Sequence, residues 1–76
     1  MIPLPPFRLV TAPSDARVAS IARPGDVVAA GDVVAVLDAP RGRVPLVAPV
    51  RGRVGGALAG EQESVTMGDA IVWIER

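Results

Sequence analysis

The 76-residue chain contains no cysteine, no histidine and no lysine, and its aromatic content is one phenylalanine and one tryptophan. Without cysteine there is no disulfide framework and no thiol chemistry, and without cysteine or histidine the usual soft metal sites are excluded. Without lysine there is no side-chain amine to form a Schiff base or to be acylated. Neither sign of charge is in excess: 8 basic and 8 acidic residues leave a formal net charge of zero. No overall field therefore favours nucleic acid or a membrane surface, and neither is expected as a partner. No apolar run is long enough to span a bilayer. The opening MIPLPPFRLV lacks a basic first segment and is interrupted by Pro3, Pro5 and Pro6, unlike a secretory signal peptide. The cytoplasm is the expected compartment.

Half of the residues are hydrophobic, which argues against disorder despite 8 Gly and 8 Pro. A chain this short lies near the lower limit for burying a self-sufficient core, so support from a protein partner or from a second copy is expected. Zero net charge also favours self-association. Every basic residue is an arginine: Arg8, Arg17, Arg23, Arg41, Arg43, Arg51, Arg53 and Arg76. A guanidinium stays protonated and is a very poor nucleophile, so amide-linked prosthetic groups on a side-chain amine are excluded.

The chain contains an internal repeat. Thr11 to Asp38 (TAPSDARVASIARPGDVVAAGDVVAVLD) resembles Val47 to Glu75 (VAPVRGRVGGALAGEQESVTMGDAIVWIE). Ala12-Pro13 falls on Ala48-Pro49 and Arg17-Val18 on Arg53-Val54 at a shift of 36 residues, whereas Gly31-Asp32 falls on Gly68-Asp69 at a shift of 37. One residue is therefore inserted between these anchors. A solenoid needs three or more stacked units, so two copies point to a closed, two-fold domain.

Each copy reads as short strands between turns. Arg17 to Ile21 alternates as a half-buried strand does, and Val33 to Leu37 and Ala70 to Ile74 are β-rich. Pro24-Gly25-Asp26, Ala30-Gly31-Asp32 and Met67-Gly68-Asp69 carry turn chemistry. Ser14 to Arg23 is free of Gly and Pro, but its repeat partner, Val50 to Ala59, carries three glycines that disfavour a helix. An all-β sandwich or small barrel is expected.

Few residues offer chemistry. Gly31 and Gly68 lead into strands and not into a helix, so they read as structural turns and not as phosphate loops. Phe7, Met67 and Trp73 read as core or edge packing, being too scattered for a stacking platform. The titratable groups are carboxylates: Asp15, Asp26, Asp32, Asp38, Glu61, Glu63, Asp69 and Glu75. Asp32 and Asp69 recur in the two copies, which marks them as turn residues. No spacing supports a metal site or a catalytic residue, so the chain is not expected to be an enzyme.

The succession of Ala-Pro, Pro-Gly-Asp and Gly-Asp motifs, central hairpin, second Ala-Pro and second Gly-Asp resembles the biotinyl/lipoyl carrier domains over residues 10 to 75. The resemblance implies a flattened β-barrel, or barrel-sandwich hybrid, of two four-stranded sheets related by a quasi-two-fold axis. Residues 10–76 would form this domain, and residues 1–9 an extended Pro-rich segment lying along the barrel edge or serving as a docking strand. In that family the modified lysine sits at the tip of the hairpin joining the halves, seven residues before the one that precedes the second proline. Counting back from Ala48 places Arg41 there. Biotinyl members flank the lysine with Met, and lipoyl members show Asp-Lys-Ala; here the segment is Asp38-Ala39-Pro40-Arg41-Gly42. The expectation is a domain that carries neither biotin nor lipoate.

The resemblance implies a protein-binding or assembly module docking where a carrier domain docks, on a carboxylase, acyltransferase or dehydrogenase subunit. One alternative is a relative of membrane-fusion or transport adaptors, which contain a similar barrel and would add a signal sequence or long helical hairpin. Another is an anion-binding module. In that reading the tip residues Asp38, Pro40, Arg41, Gly42 and Arg43 contact the partner or anion, Arg41 and Arg43 form a cationic prong, and Arg51 and Arg53 join it if the turns lie close together.

Overall fold

The computed structural model describes residues 7–76 and places them in eight strands with no helix. They are β1 (Phe7–Thr11), β2 (Ala16–Ile21), β3 (Val27–Val28), β4 (Val33–Ala39), β5 (Gly42–Val47), β6 (Gly52–Ala57), β7 (Ser64–Val65) and β8 (Ala70–Glu75). All pairings are antiparallel. Sheet A has the order β1-β8-β6-β3 and sheet B the order β5-β4-β2-β7, and the two remain separate layers.

This order explains why the repeat occurs twice. The first copy supplies β1 to β4 and the second β5 to β8, so each sheet takes two strands from each copy. The central pair of each sheet, β2–β4 or β6–β8, comes from one copy and the two flanking strands from the other, so neither copy completes a sheet alone. The bulges follow the same symmetry: the β2–β4 register shifts between Val18 and Ser20, and the β6–β8 register between Val54 and Gly56, which is 36 residues on.

The core obeys the repeat as well. Val18 and Val54, Val34 and Ile71, and Leu37 and Ile74 are equivalent pairs, and every member is at most 1% exposed. Alternate strand residues face inward, as the two-residue period requires, and no polar or charged residue is buried among the described residues. The turns are held by carboxylates. Asp26 Oδ2 accepts from Arg23 N–H at 3.0 Å, Asp32 Oδ2 from Ala29 N–H at 2.8 Å and Asp69 Oδ2 from Thr66 N–H at 2.9 Å. Asp32 and Asp69 are therefore turn residues in both copies, as their recurrence implies.

The inserted residue of the second copy is Ala59. Leu58 N–H donates to Ile71 O as Ala22 N–H does to Val34 O, and Glu63 N–H donates to Gly60 O as Asp26 N–H does to Arg23 O. Leu58 thus matches Ala22 and Gly60 matches Arg23, with Ala59 between.

The expected boundary at residue 10 falls inside a strand. Phe7, Arg8 and Leu9 pair with Glu75, Ile74 and Trp73 of β8, so these residues belong to an edge strand of the first sheet. Residues 1–6 of the expected Pro-rich segment lie outside the described residues.

Candidate functional site

The hairpin joining the two copies is built by β4 and β5, with Ala39 opposite Gly42, Asp38 opposite Arg43 and Leu37 opposite Val44. Pro40 and Arg41 are left as the two corner residues. Pro sets φ at the first corner. Gln62 is the only residue other than glycine with positive φ among the described residues, so neither corner lies in the left-handed region. That excludes type II, I′ and II′ turns and is the behaviour of type I. Gly42 follows at φ 127°, and a Cβ there would meet nothing within 4 Å. Glycine is therefore required by the backbone and not by any neighbour.

Pro40, Arg41, Gly42 and Arg43 are all exposed. Asp38 lies between Arg17 on β2 and Arg43 on β5, and Arg43 Nε meets Asp38 Oδ1 at 3.2 Å. Both partners are well exposed, 76% for the Arg43 side chain and 49% for Asp38. This ion pair is the only one among the described residues. It therefore contributes modestly to stability; it engages Arg43 with Asp38 and leaves Arg41 as the one cation of the tip without an ion pair.

Arg51 and Arg53 do not join that prong. They line an open groove on sheet A with Val27, Val28, Gly52, Glu75 and Arg76, and no residue of the β4–β5 tip belongs to it. Asp15, the repeat equivalent of Arg51, instead accepts a hydrogen bond from Met67 N–H at 2.9 Å. Phe7, Met67 and Trp73 are expected in core or edge packing; Phe7 stands on the edge strand β1, and none of the three is in the core. Met67 is 71% exposed in a turn, and Phe7 and Trp73 lie on the outer face of sheet A beside Leu9 and Leu58. Strand hydrophobics read as core by default. The signal that separates them is the repeat itself, because Trp73 is matched by Val36 and Leu9 by Pro45.

The chemistry open to the tip follows from its groups. A guanidinium at Arg41 grips an oxyanion through a planar fork but offers no free amine for amide formation. The biotin or lipoate that the sequence resemblance implies would be held through a lysine amide, and the tip, with Arg41 in that place, does not fit that linkage. Among the described residues, no group of three His, Cys, Asp or Glu side chains is placed to hold a metal ion, and no helix is long and apolar enough to cross a membrane.

Comparison with known proteins places this hairpin in context. The family described as "Biotin-requiring enzyme", the biotin/lipoyl family, matches residues 8–74. No curated protein matches. Among solved structures, a single-chain, multi-domain long-chain acyl-CoA carboxylase is similar at 26% identity and TM-score 0.87, covering 100% of this chain and 8% of its own. The urea carboxylase of Kluyveromyces lactis is similar at 27% identity and TM-score 0.85, covering 97% of this chain and 6% of its own. The lipoyl domain of the 2-oxoglutarate dehydrogenase complex from Azotobacter vinelandii shares the fold at 14% identity and TM-score 0.70, covering 88% of this chain and 96% of its own. This chain thus spans less than a tenth of either carboxylase. None of these three structures is a transport adaptor, and nothing supports the adaptor alternative.

Proposed function

The chain belongs to the biotinyl/lipoyl family, and on that premise we propose that it is a non-modified member, acting as a protein-binding or assembly module and not as a carrier of biotin or lipoate. Domains of this family are carriers and not catalysts in themselves, so losing the acceptor removes the transported group while leaving the docking scaffold. The observation that carries the reading is Arg41, exposed and unpaired at the tip of the hairpin joining the two halves. The tip keeps a two-residue turn between Ala39 and Gly42, so it is presented as a carrier tip would be.

Two of the similar structures are carboxylases and one is a domain of a dehydrogenase complex, which supports a carboxylase, acyltransferase or dehydrogenase subunit as the partner. There the Arg41 guanidinium would meet a carboxylate or phosphate where a modified lysine otherwise enters.

The test is recovery of the tagged protein at its natural level from its own host, with intact-mass measurement and identification of what is retained. The expected result is the unmodified mass together with a subunit of one of these enzyme classes. A mass increment matching biotin or lipoate, or the absence of any such subunit, overturns the proposal.

A further inference from the structure

Both aromatic residues of this chain stand on the outside of one sheet. Phe7 and Leu9 on β1 are 46% and 51% exposed, Leu58 after β6 is 53% exposed, and these three line a shallow hollow with Trp73 and Glu75. Trp73 lies flat on bare backbone: a Cβ on Gly55 would overlap the indole Nε1, and one on Gly56 would come within 2.5 Å of Cη2. The indole N–H donates to Glu75 Oε1 at 3.2 Å, which fixes the ring and holds a carboxylate at the rim.

The other half of the molecule supplies the control. Where sheet A has Phe7, Leu9, Leu58 and Trp73, the repeat places Arg43, Pro45, Ala22 and Val36 on sheet B. The buried positions of the two copies match, so core packing does not account for the difference. The edges differ in the same sense. β1 and β5 are equivalent edge strands, but β5 carries Pro45, which has no N–H to offer an added strand, whereas β1 has Leu9. One edge is blocked and its twin is open, with an aromatic hollow beside it.

We propose that the outer face of sheet A is a docking site for an extended segment of a partner protein. The segment adds to the free edge of β1 by backbone hydrogen bonds, seats a large aliphatic side chain against Leu9, Leu58 and Trp73, and sets a lysine or arginine against Glu75. Glu75 is the one charged residue lining the hollow. The row containing Leu9 and Trp73 and the row containing Phe7 and Glu75 are two residues apart, so the aliphatic and basic residues are two positions apart in the segment.

Charge decides against the nearer occupants. Arg53 stands opposite Glu75 across β6–β8 without forming an ion pair with it. A second copy pairing through its own β1 presents Phe7, Leu9 and Thr11 on this face and so adds no cation there. Residues 1–6, MIPLPP, contain no basic side chain. The inference does not depend on the state of Arg41, since a modified tip would leave this face as it is.

The experiment is panning of a phage-displayed library of random heptapeptides on the full-length protein, with counter-selection on Leu9→Lys. Binding of a selected, tryptophan-free synthetic peptide is then followed through Trp73, the chain's single tryptophan. The expected result is a consensus with an aliphatic and a basic residue two positions apart, and a blue shift of Trp73 emission on binding. Loss of the aliphatic contact in Leu9→Lys or Leu58→Gln should weaken binding by roughly tenfold or more. Glu75→Arg should turn the preference at the basic position to acidic. Circular dichroism establishes that each variant is folded, and two independent variants guard against the failure of one. The proposal is overturned by a selection without consensus, by a consensus lacking the aliphatic–basic pair, or by equal binding to the variants. It is also overturned by a dimer that Leu9→Lys converts to monomers, or by a red shift of Trp73 on deletion of residues 1–6.

Discussion

Exchange of residues between two equivalent turns isolates the energetic cost of one backbone conformation. Gly25 in the first copy and Gln62 in the second occupy the same place: their N–H groups donate to Val54 O and Val18 O, each at 2.7 Å, and their φ values are 93° and 68°. The first copy thus uses glycine in the left-handed region and the second uses a residue that is strained there. The strain for an L-residue is roughly 1–2 kcal/mol, and the extra unfolded-state freedom of glycine offsets about 0.4–1 kcal/mol of any relief. Gln62 is exposed, so its side chain contributes little packing. Gln62→Gly is therefore expected to stabilise by about 0.5–1 kcal/mol, which for a domain of this size raises Tm by about 2–8 °C. A Cβ at Gly25 meets nothing within 4 Å, so Gly25→Gln should lose a similar amount through the backbone alone, and the double exchange should return close to wild type. Thermal and urea unfolding of the four proteins measure this directly. A less stable Gln62→Gly, or a neutral Gly25→Gln, would refute the assignment of the cost to φ and place it in side-chain contacts.

Three further outcomes follow from the same geometry. Arg41→Lys alone should remain unlabelled by an active biotin ligase, because the Met neighbours of the biotinyl motif are absent, whereas adding Pro40→Met and Gly42→Met should yield streptavidin-reactive protein. The Gly42 change should also lower Tm by a few degrees, since φ there is 127° and an L-residue is strained at positive φ by about 1 kcal/mol. Asp32→Ala and Asp69→Ala each remove one carboxylate-to-backbone hydrogen bond, of 2.8 and 2.9 Å, and should each destabilise by about 1 kcal/mol in urea titrations, with similar values in the two copies. Gly56→Ala forces the indole of Trp73 off the sheet, and should cost roughly 1–3 kcal/mol and shift the tryptophan emission to longer wavelength.

What the sequence reveals and what it hides divide along physical lines. The turns are legible because their backbone geometry selects residues: Gly25, Gly31 and Gly68 have positive φ, and Asp26, Asp32 and Asp69 close their own turns. The tip is legible by counting, because a two-residue turn leaves Pro40 and Arg41 at its corners. The Arg43–Asp38 ion pair depends on cross-strand register, which a reading of Arg43 as the strand-mate of Arg41 does not consider. The start of β1 is masked by the prolines preceding Phe7. The choice between core and outer face for Trp73 and Phe7 is hidden because alternation within a strand distinguishes two faces without saying which one is buried. That choice is made by the other sheet, and hence by residues far away in the chain.

The two-fold repeat separates what the fold needs from what the surface does. Positions that the fold needs are held in common by both copies, so equivalent core truncations should be equally costly. Val18 and Val54 are 0% and 1% exposed, lie 36 residues apart and precede matching bulges. Val18→Ala and Val54→Ala should each destabilise by roughly 2–3 kcal/mol, and the two values should agree within about 0.5 kcal/mol in denaturant unfolding. Surface positions carry no such obligation, and there the copies diverge in charge and size: Asp15 against Arg51, Arg43 against Phe7, Pro45 against Leu9, Val36 against Trp73. Selection for stability alone would leave such positions free to drift. It does not by itself gather Phe7, Leu9, Leu58 and Trp73 into one hollow or retain two glycines beneath the indole. If Val18→Ala and Val54→Ala differed by several kcal/mol, the halves would not be energetic equivalents, and comparing their surfaces would lose its force. If they agree, core packing does not account for the asymmetry of the outer faces, and the hairpin tip and the sheet A face are two separate surfaces on one symmetric core.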